Sequence, residues 1–222
     1  TPNSKLILST IAILNLVAFV LIWLLESNNP LTLGSMSLGE QAMNAWLQAT
    51  VPRSSGFNTI DTGAMEHSTA LLTMLLMFIG GGSLSTAGGI KVGTFVILVL
   101  CVISFLRRNE EIRIFNHSVS QETTYKALAV TAITGMLGFT GCFILLILEP
   151  KLDALDLMFE VVSAACTVGL SRGATSELHD GSLFVLCLLM YTGRLGPLTL
   201  AYLIATPKKS RLKHAIANIQ IG

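Results

Sequence analysis

Charge is what this sequence has least of. Of its 222 residues only 12% are Asp, Glu, Lys or Arg while 52% are hydrophobic, and a soluble domain carries roughly twice that charged share. The net charge of +1 supplies no basic surface for a nucleic acid. Cysteine is scarce too. Cys101, Cys142, Cys166 and Cys187 form no CxxC pair and three of them sit inside apolar runs, so they read as membrane-buried thiols rather than disulfides or metal ligands. The GxGxxG and HExxH patterns are missing, which removes a dinucleotide fold and a zinc protease from the simple readings. The first apolar segment is too long for a signal peptide and has no small-residue cleavage site. Because the chain starts at Thr1 rather than Met, a piece of a longer polypeptide is expected.

What remains is apolar length. Residues 6–25 carry no charge and suffice to cross about 30 Å of hydrocarbon. Glu26 and Pro30 stop this span. Residues 40–50 suit a helix but are too short to cross, which predicts a re-entrant half-helix with Glu40 at its dipole-favoured start. A polar loop at 51–60 follows. The apolar run 70–106 would reach about 55 Å as one straight helix, so it must break, and five glycines within 80–89 mark the place. Residues 127–148 span again, Glu149 and Pro150 stop them, 153–165 form a second half-helix, 166–171 a second loop and 183–204 a last span.

The two halves are copies. A constant shift of 113 residues places Trp46 on Phe159, Gly56 on Gly169, Leu75-Leu76-Met77 on Leu188-Leu189-Met190, Phe78 on Tyr191 and Gly80 on Gly193. The expected fold is an all-α polytopic membrane protein, with tandem span, re-entrant pore loop, span repeats around a pore in the manner of a K⁺ channel. Its parts are a pore-forming repeat at 1–110, a cytoplasmic connector at 111–126, a second pore-forming repeat at 127–206 and a cytoplasmic tail at 207–222. Nine of the fourteen Lys and Arg lie on the side shared by both termini and the connector, which the positive-inside rule makes cytoplasmic. Ten of the thirteen acids, Glu26 and Glu149 among them, fall on the other face. There they either raise the local cation concentration or are simply solvated loop ends.

A half-helix that ends in a short extended segment can turn backbone carbonyls toward a pore, where they replace the water shell of an alkali cation. Ser54, Ser55, Gly56 and Phe57 occupy that place in the first repeat, and Thr167, Val168, Gly169 and Leu170 in the second. Thr-Val-Gly alone is a weak tripeptide; its duplication after a half-helix is the signal. Lys91 follows the glycines, either as a pore-side charge or snorkelling inward. Asp61, Glu66 and His67 cluster after the first loop and suggest a metal site, but at the outer edge solvated residues are the expected reading.

Residues 54–58 (SSGFN), 77–91 (MFIGGGSLSTAGGIK), 167–170 (TVGL) and 193–197 (GRLGP) together resemble the Trk/Ktr/HKT superfamily of potassium transporters, most like the Ktr membrane (KtrB-type) subunit, over nearly the whole chain. The resemblance implies four such repeats around one pore, of which these look like the third and fourth. The other walls would come from the same polypeptide or from a second copy. It implies K⁺ held by filter carbonyls, and a gate made of Gly80, Gly81, Gly82, Ser83, Ser85, Thr86, Gly88 and Gly89 with Arg194. An Arg near the middle of a span costs at least about 2.5 kcal/mol unless it faces protein or water, and here it would hydrogen-bond the loop and slow cations. The resemblance further implies a cell-membrane homodimer on a cytoplasmic RCK-type nucleotide-binding ring. No cofactor is expected in this chain; nucleotide belongs to the partner, and no nucleic acid is involved.

The rival readings are a Trk-type or Na⁺-accepting transporter, a structural membrane subunit, and an intramembrane hydrolase using Ser83 or Ser85 with His67 or His179. A phosphate-loop reading of 82–91 fails, since the segment ends in Gly88-Gly89-Ile90-Lys91 without Gly-Lys-Ser/Thr.

Overall fold

A computed structural model of the chain describes residues 2–82, 85, 87–108, 113–114 and 117–196. Ser83 and Thr86 of the Gly-rich segment, Pro197, the end of the expected last span and the basic tail lie outside the described residues.

Helices dominate. The first repeat runs α1 (Pro2–Glu26), α2 (Leu38–Thr50), α3 (His67–Phe78) and α4 (Val92–Leu106). Two-residue strands β1 (Arg113–Ile114) and β2 (His117–Ser118) pair antiparallel between the repeats. The second repeat runs α5 (Gln121–Leu148), α6 (Ala154–Ala165), a short 3₁₀ turn (Ala174–Glu177) and α7 (Asp180–Leu195). Helix α5 thus begins inside the segment read as connector, because Ser120 caps it through Thr123 N–H (3.2 Å).

Helices α1 and α5 are long and apolar enough to cross a membrane, and only 11% and 17% of their most apolar stretches are covered by the rest of the chain. Apolar surface left uncovered on this scale fits helices that face lipid. Helices α2 and α6 have 13 and 12 residues, too few to span. Both start on side-chain caps. Ser37 and Glu40 form a capping box, and Asp153 accepts from Leu155 N–H (2.8 Å) and Asp156 N–H (3.3 Å). The Ser37 backbone N–H, then its hydroxyl, hold the Glu40 carboxyl below its ordinary pKa.

The break in the apolar run falls where the glycines are. Helix α3 stops at Phe78 and α4 starts at Val92, yet the two ends meet. Ile90 N–H donates to Phe78 O (2.9 Å), Gly80 N–H to Ile90 O (2.9 Å) and Val92 N–H to Gly81 O (3.1 Å). Between Gly81 and Ile90 the chain therefore makes an excursion whose two ends lie side by side. Helix α7 runs on through the equivalent register to Leu195 without such an excursion.

Three apolar clusters hold the fold. One lies within each repeat, around Ile22 and Ala45 and around Leu145 and Val161. The third joins the repeats and brings Val51, Met74 and Met77 onto Phe159, Val168 and Leu170.

The span-ending glutamates are not solvated loop ends. Glu26 is fully buried and Glu149 nearly so. Glu26 accepts from Thr32 Oγ1 (2.6 Å), Asn29 Nδ2 (2.8 Å) and Glu66 N–H (2.9 Å). Glu149 accepts from Ser182 Oγ (2.7 Å), His179 Nδ1 (2.9 Å) and His179 N–H (2.9 Å). Positions 66 and 179 are related by the 113-residue shift, so each carboxylate caps the start of the inner helix of its own repeat, where the dipole favours an anion.

Replacing Glu26 with Ala strands these donors, and a loss of about 1–3 kcal/mol is expected in thermal unfolding of the detergent-purified protein. The His179 backbone N–H, followed by the Ser182 hydroxyl, keeps the Glu149 carboxyl below its ordinary pKa despite desolvation. Its stabilisation is complete above the ordinary carboxylate pKa and fades as pH falls through the lowered value. Glu149→Gln should remove that part of the acid dependence, read as Tm against pH.

Candidate functional site

The two loops that follow the half-helices lie side by side. Their backbones repeat a distinctive pattern: Ser54 and Gly56 have φ of 75° and 74°, and their 113-shifted counterparts Thr167 and Gly169 have 52° and 88°. Ser54 and Thr167 are two of only three non-glycine residues with positive φ among the described residues. A non-glycine residue there costs roughly 1–2 kcal/mol, so the same costly geometry held twice marks a constrained site. A residue of ordinary φ separates each pair, and alternation of this kind can turn successive carbonyls to one side of the chain.

Contacts between the loops are direct. Ser54 Oγ donates to Thr167 O at 2.7 Å. A Cβ added to Gly169 would stand 3.3 Å from Gly56 Cα, and one on Gly56 would stand 3.4 Å from Val168 O. Val168 and Leu170 are buried in the core between the repeats, whereas Gly56 and Phe57 are exposed. The eight residues singled out by the repeat are therefore brought into two adjoining loops.

The Gly-rich segment packs against the second of these loops. Gly88 N–H donates to Thr167 Oγ1 at 3.1 Å. A Cβ on Gly88 would meet Cys166 O at 2.5 Å, so only glycine allows this approach. Lys91 Nζ reaches back to Ala87 O (2.6 Å) and Ser85 O (2.9 Å). The lysine is thus a clamp on the segment, a role its position in the sequence left open. Arg194 sits in the last turn of α7, on an open groove of about 550 Å³ that also takes in Thr167, Val168, Gly169 and Met190.

Nothing in the sequence singles out Arg172, whose guanidinium ties the two repeats together. It pairs with Asp156 (Nε to Oδ1, 2.6 Å) and donates to Thr62 O (3.0 Å), Gly63 O (3.2 Å) and Met65 O (3.3 Å). Beside it Glu160, also buried, accepts from Ser171 Oγ (2.5 Å), Thr175 Oγ1 (2.6 Å) and Arg172 N–H (3.0 Å), bracing the stretch just after the second loop. Nor does the sequence mark Arg53, which donates through Nη1 to Asn15 Oδ1 of α1 from behind the first loop. His179 is engaged with Glu149 at a helix start, a structural post rather than the base of a hydrolase.

Two tandem units of long helix, half-helix, loop and further helix, the long helix of each apolar enough to cross a membrane, define a membrane protein. The chain belongs to the TrkH family of cation transport proteins, which it matches over residues 5–213. It is 39% identical to the Ktr system potassium uptake protein B of Vibrio alginolyticus over 99% of this chain and 48% of that protein, and 38% identical to its namesake from Bacillus subtilis over 99% and 49%. To the potassium/sodium uptake protein NtpJ of Enterococcus hirae it is 33% identical over its whole length and 50% of that protein. The chain spans about half the length of these curated relatives. Among solved structures it superposes on the potassium transporter TrkH of Vibrio parahaemolyticus with a TM-score of 0.76, at 20% identity, covering 89% of this chain and 43% of that one; this similarity speaks to the fold.

Two outcomes are expected. Lys91→Met removes both hydrogen bonds to the Gly-rich segment, so amides of 85–90 should exchange hydrogen faster while those of α3 stay protected. Arg172→Met leaves Asp156 and three carbonyls without their donor, and a loss on the order of 3 kcal/mol should appear in thermal unfolding.

Proposed function

We propose that this chain forms two walls of a potassium-selective filter and the gate beneath it, as part of the translocating subunit of a Ktr-type potassium uptake system. The observation that carries the reading is the doubled backbone pattern at 54/56 and 167/169 in two adjoining loops. Carbonyls so arranged can replace the hydration shell of K⁺ without fixed charge. The names of the relatives point to the same ion, and one of them adds sodium.

The repeats are unequally covered, which supports further walls. Phe159 of α6 is fully buried against the first repeat, while its counterpart Trp46 of α2 is 48% exposed. Each half-helix face then packs on the repeat before it, a head-to-tail arrangement that closes into a ring when enough copies are present. The missing walls come from the rest of the same polypeptide or a second copy.

Below the filter, Gly80, Gly81, Gly82, Ser85, Gly88 and Gly89, with Ser83 and Thr86, form the gate, and Arg194 slows cations there electrostatically. Both ends of the chain face the cytoplasm, by the distribution of Lys and Arg. The intact subunit pairs as a homodimer in the cell membrane and is controlled by a nucleotide-binding RCK-type ring.

The reading is tested in proteoliposomes holding the full-length transporter. A side chain forced to φ near +74° costs about 1–2 kcal/mol, so Gly56→Ser and Gly169→Ser should each cut the preference for K⁺ over Na⁺ on the order of tenfold. Unchanged preference in both folded variants would sink the filter assignment. Arg194→Ala should raise K⁺ flux; lower or equal flux in a folded variant removes Arg194 from the gate.

A further inference from the structure

The repeats differ in what stands behind each filter loop. In the first, Arg53 donates to Asn15 of α1, and Phe19 and Trp23 of α1 pack together with ring centroids 5.5 Å apart. The equivalent positions in the second repeat follow from two anchors. The shift of 113 residues takes Arg53 to Cys166. The capping glutamates, Glu26 and Glu149, set the first spans in register at 123 residues, which takes Asn15 to Gly138, Phe19 to Cys142 and Trp23 to Leu146. A guanidinium, a carboxamide and two aromatic rings are thus replaced by a glycine, two thiols and a leucine.

The vacated space is present. A cavity of about 420 Å³ is lined by those four residues, Gly138, Cys142, Leu146 and Cys166, and by Phe78 and Met158. It offers water nothing. The hydroxyl of Thr134, the only hydroxyl in its wall, donates to Val130 O at 2.8 Å, and apolar cavities of this kind stay dry and take apolar guests. Its volume lies in the range of small-molecule sites. Its rim is formed by Phe139 and Phe143, 74% and 59% exposed on the uncovered flank of a 28-residue apolar helix, a flank suited to hydrocarbon.

We propose that this cavity is a binding site for one acyl chain of a bilayer lipid, inserted between α5 and α6 until it reaches Cys166, the residue just before Thr167. The chain fills the place that Arg53, Asn15 and the aromatic pair fill in the first repeat. One filter loop is therefore backed by protein and the other by lipid.

The test is photolabelling of the full-length transporter in vesicles of phosphatidylcholine bearing a diazirine in mid-chain, with labelled residues mapped by mass spectrometry. Label is expected at Met158 and Val162, in the cavity wall, as well as at exposed Ile147 and Leu24. Cβ atoms added at Gly135 and Gly138 meet nothing within 4 Å, so a side chain can start at either position, and Gly138→Leu and Gly135→Leu are the variants that fill the cavity. Both should lose label at Met158 and Val162 and keep it at Ile147 and Leu24. No label at Met158 and Val162 in the unaltered protein overturns the proposal, and so does label that persists there in both variants. The readout is independent of ion flux, so the filter assignment can fail while this one stands.

Discussion

Non-helical backbone in a helix-built membrane protein must find its hydrogen bonds inside the protein, and Thr167 is where that constraint is met. Its carbonyl takes the hydroxyl of Ser54 from the first repeat, and its own hydroxyl takes the N–H of Gly88 from the Gly-rich segment. Three irregular segments, each costly alone, satisfy one another through a single residue. Much of the surrounding design follows. Gly88 must be glycine to come so near Cys166 O. Gly193 of α7 must be glycine because an added Cβ would strike Ala165 O, at the end of the half-helix that delivers Thr167. Lys91 then holds the far side of the segment by its carbonyls. The Gly-rich segment, bonded at Gly88 to the Thr167 hydroxyl, cannot move without changing what that hydroxyl does.

The starts of α3 and α7 pose a related problem. A helix N-terminus presents unpaired N–H groups, and each repeat answers with a glutamate from the end of its first long helix. The carboxylates also gather side chains: Thr32 and Asn29 in one case, Ser182 and His179 in the other. Acids read as a cation-attracting rim are in these two positions consumed by internal bonds. Arg172 adds the link between repeats, since its guanidinium reaches Asp156 of the second repeat and three carbonyls of the first.

The two long apolar helices, the half-helices, the break at 80–89 and the pairing of the loops were legible because each leaves a local mark: apolar length, a cap, a glycine cluster, an internal copy. What was not legible depends on contacts between segments distant in sequence. The break at 80–89 could be foreseen, but not the meeting of its two ends at Phe78 and Ile90, which rests on backbone bonds that carry no side-chain signature. Arg172 lies at the position of Thr59 in the first repeat, so the internal comparison gave no warning of it. Glu26 and Glu149 were legible as the stops of their spans but not as caps of α3 and α7, whose starts lie 40 and 30 residues further on in sequence. Their spacing is 123 rather than 113, the first repeat having a connection ten residues longer between long helix and half-helix.

That slip in register also exposes how far the copies have diverged. Where the loops must meet, the pattern of positive φ is kept, down to a serine and a threonine that hold an unfavourable backbone. Behind the loops nothing obliges the two sides to match, since either a polar pair or an apolar filling can support a half-helix. The first repeat uses Arg53 with Asn15 and rings, and two nitrogens of that guanidinium, Nε and Nη2, are buried without partners among the described residues. Burying donors unpaired is costly, and Gly138 and Cys166 avoid that cost at the expense of packing. Conserved geometry in front and divergent chemistry behind locate the shared constraint in the loops themselves, and leave the rear of each as the place where one repeat can be tuned without the other.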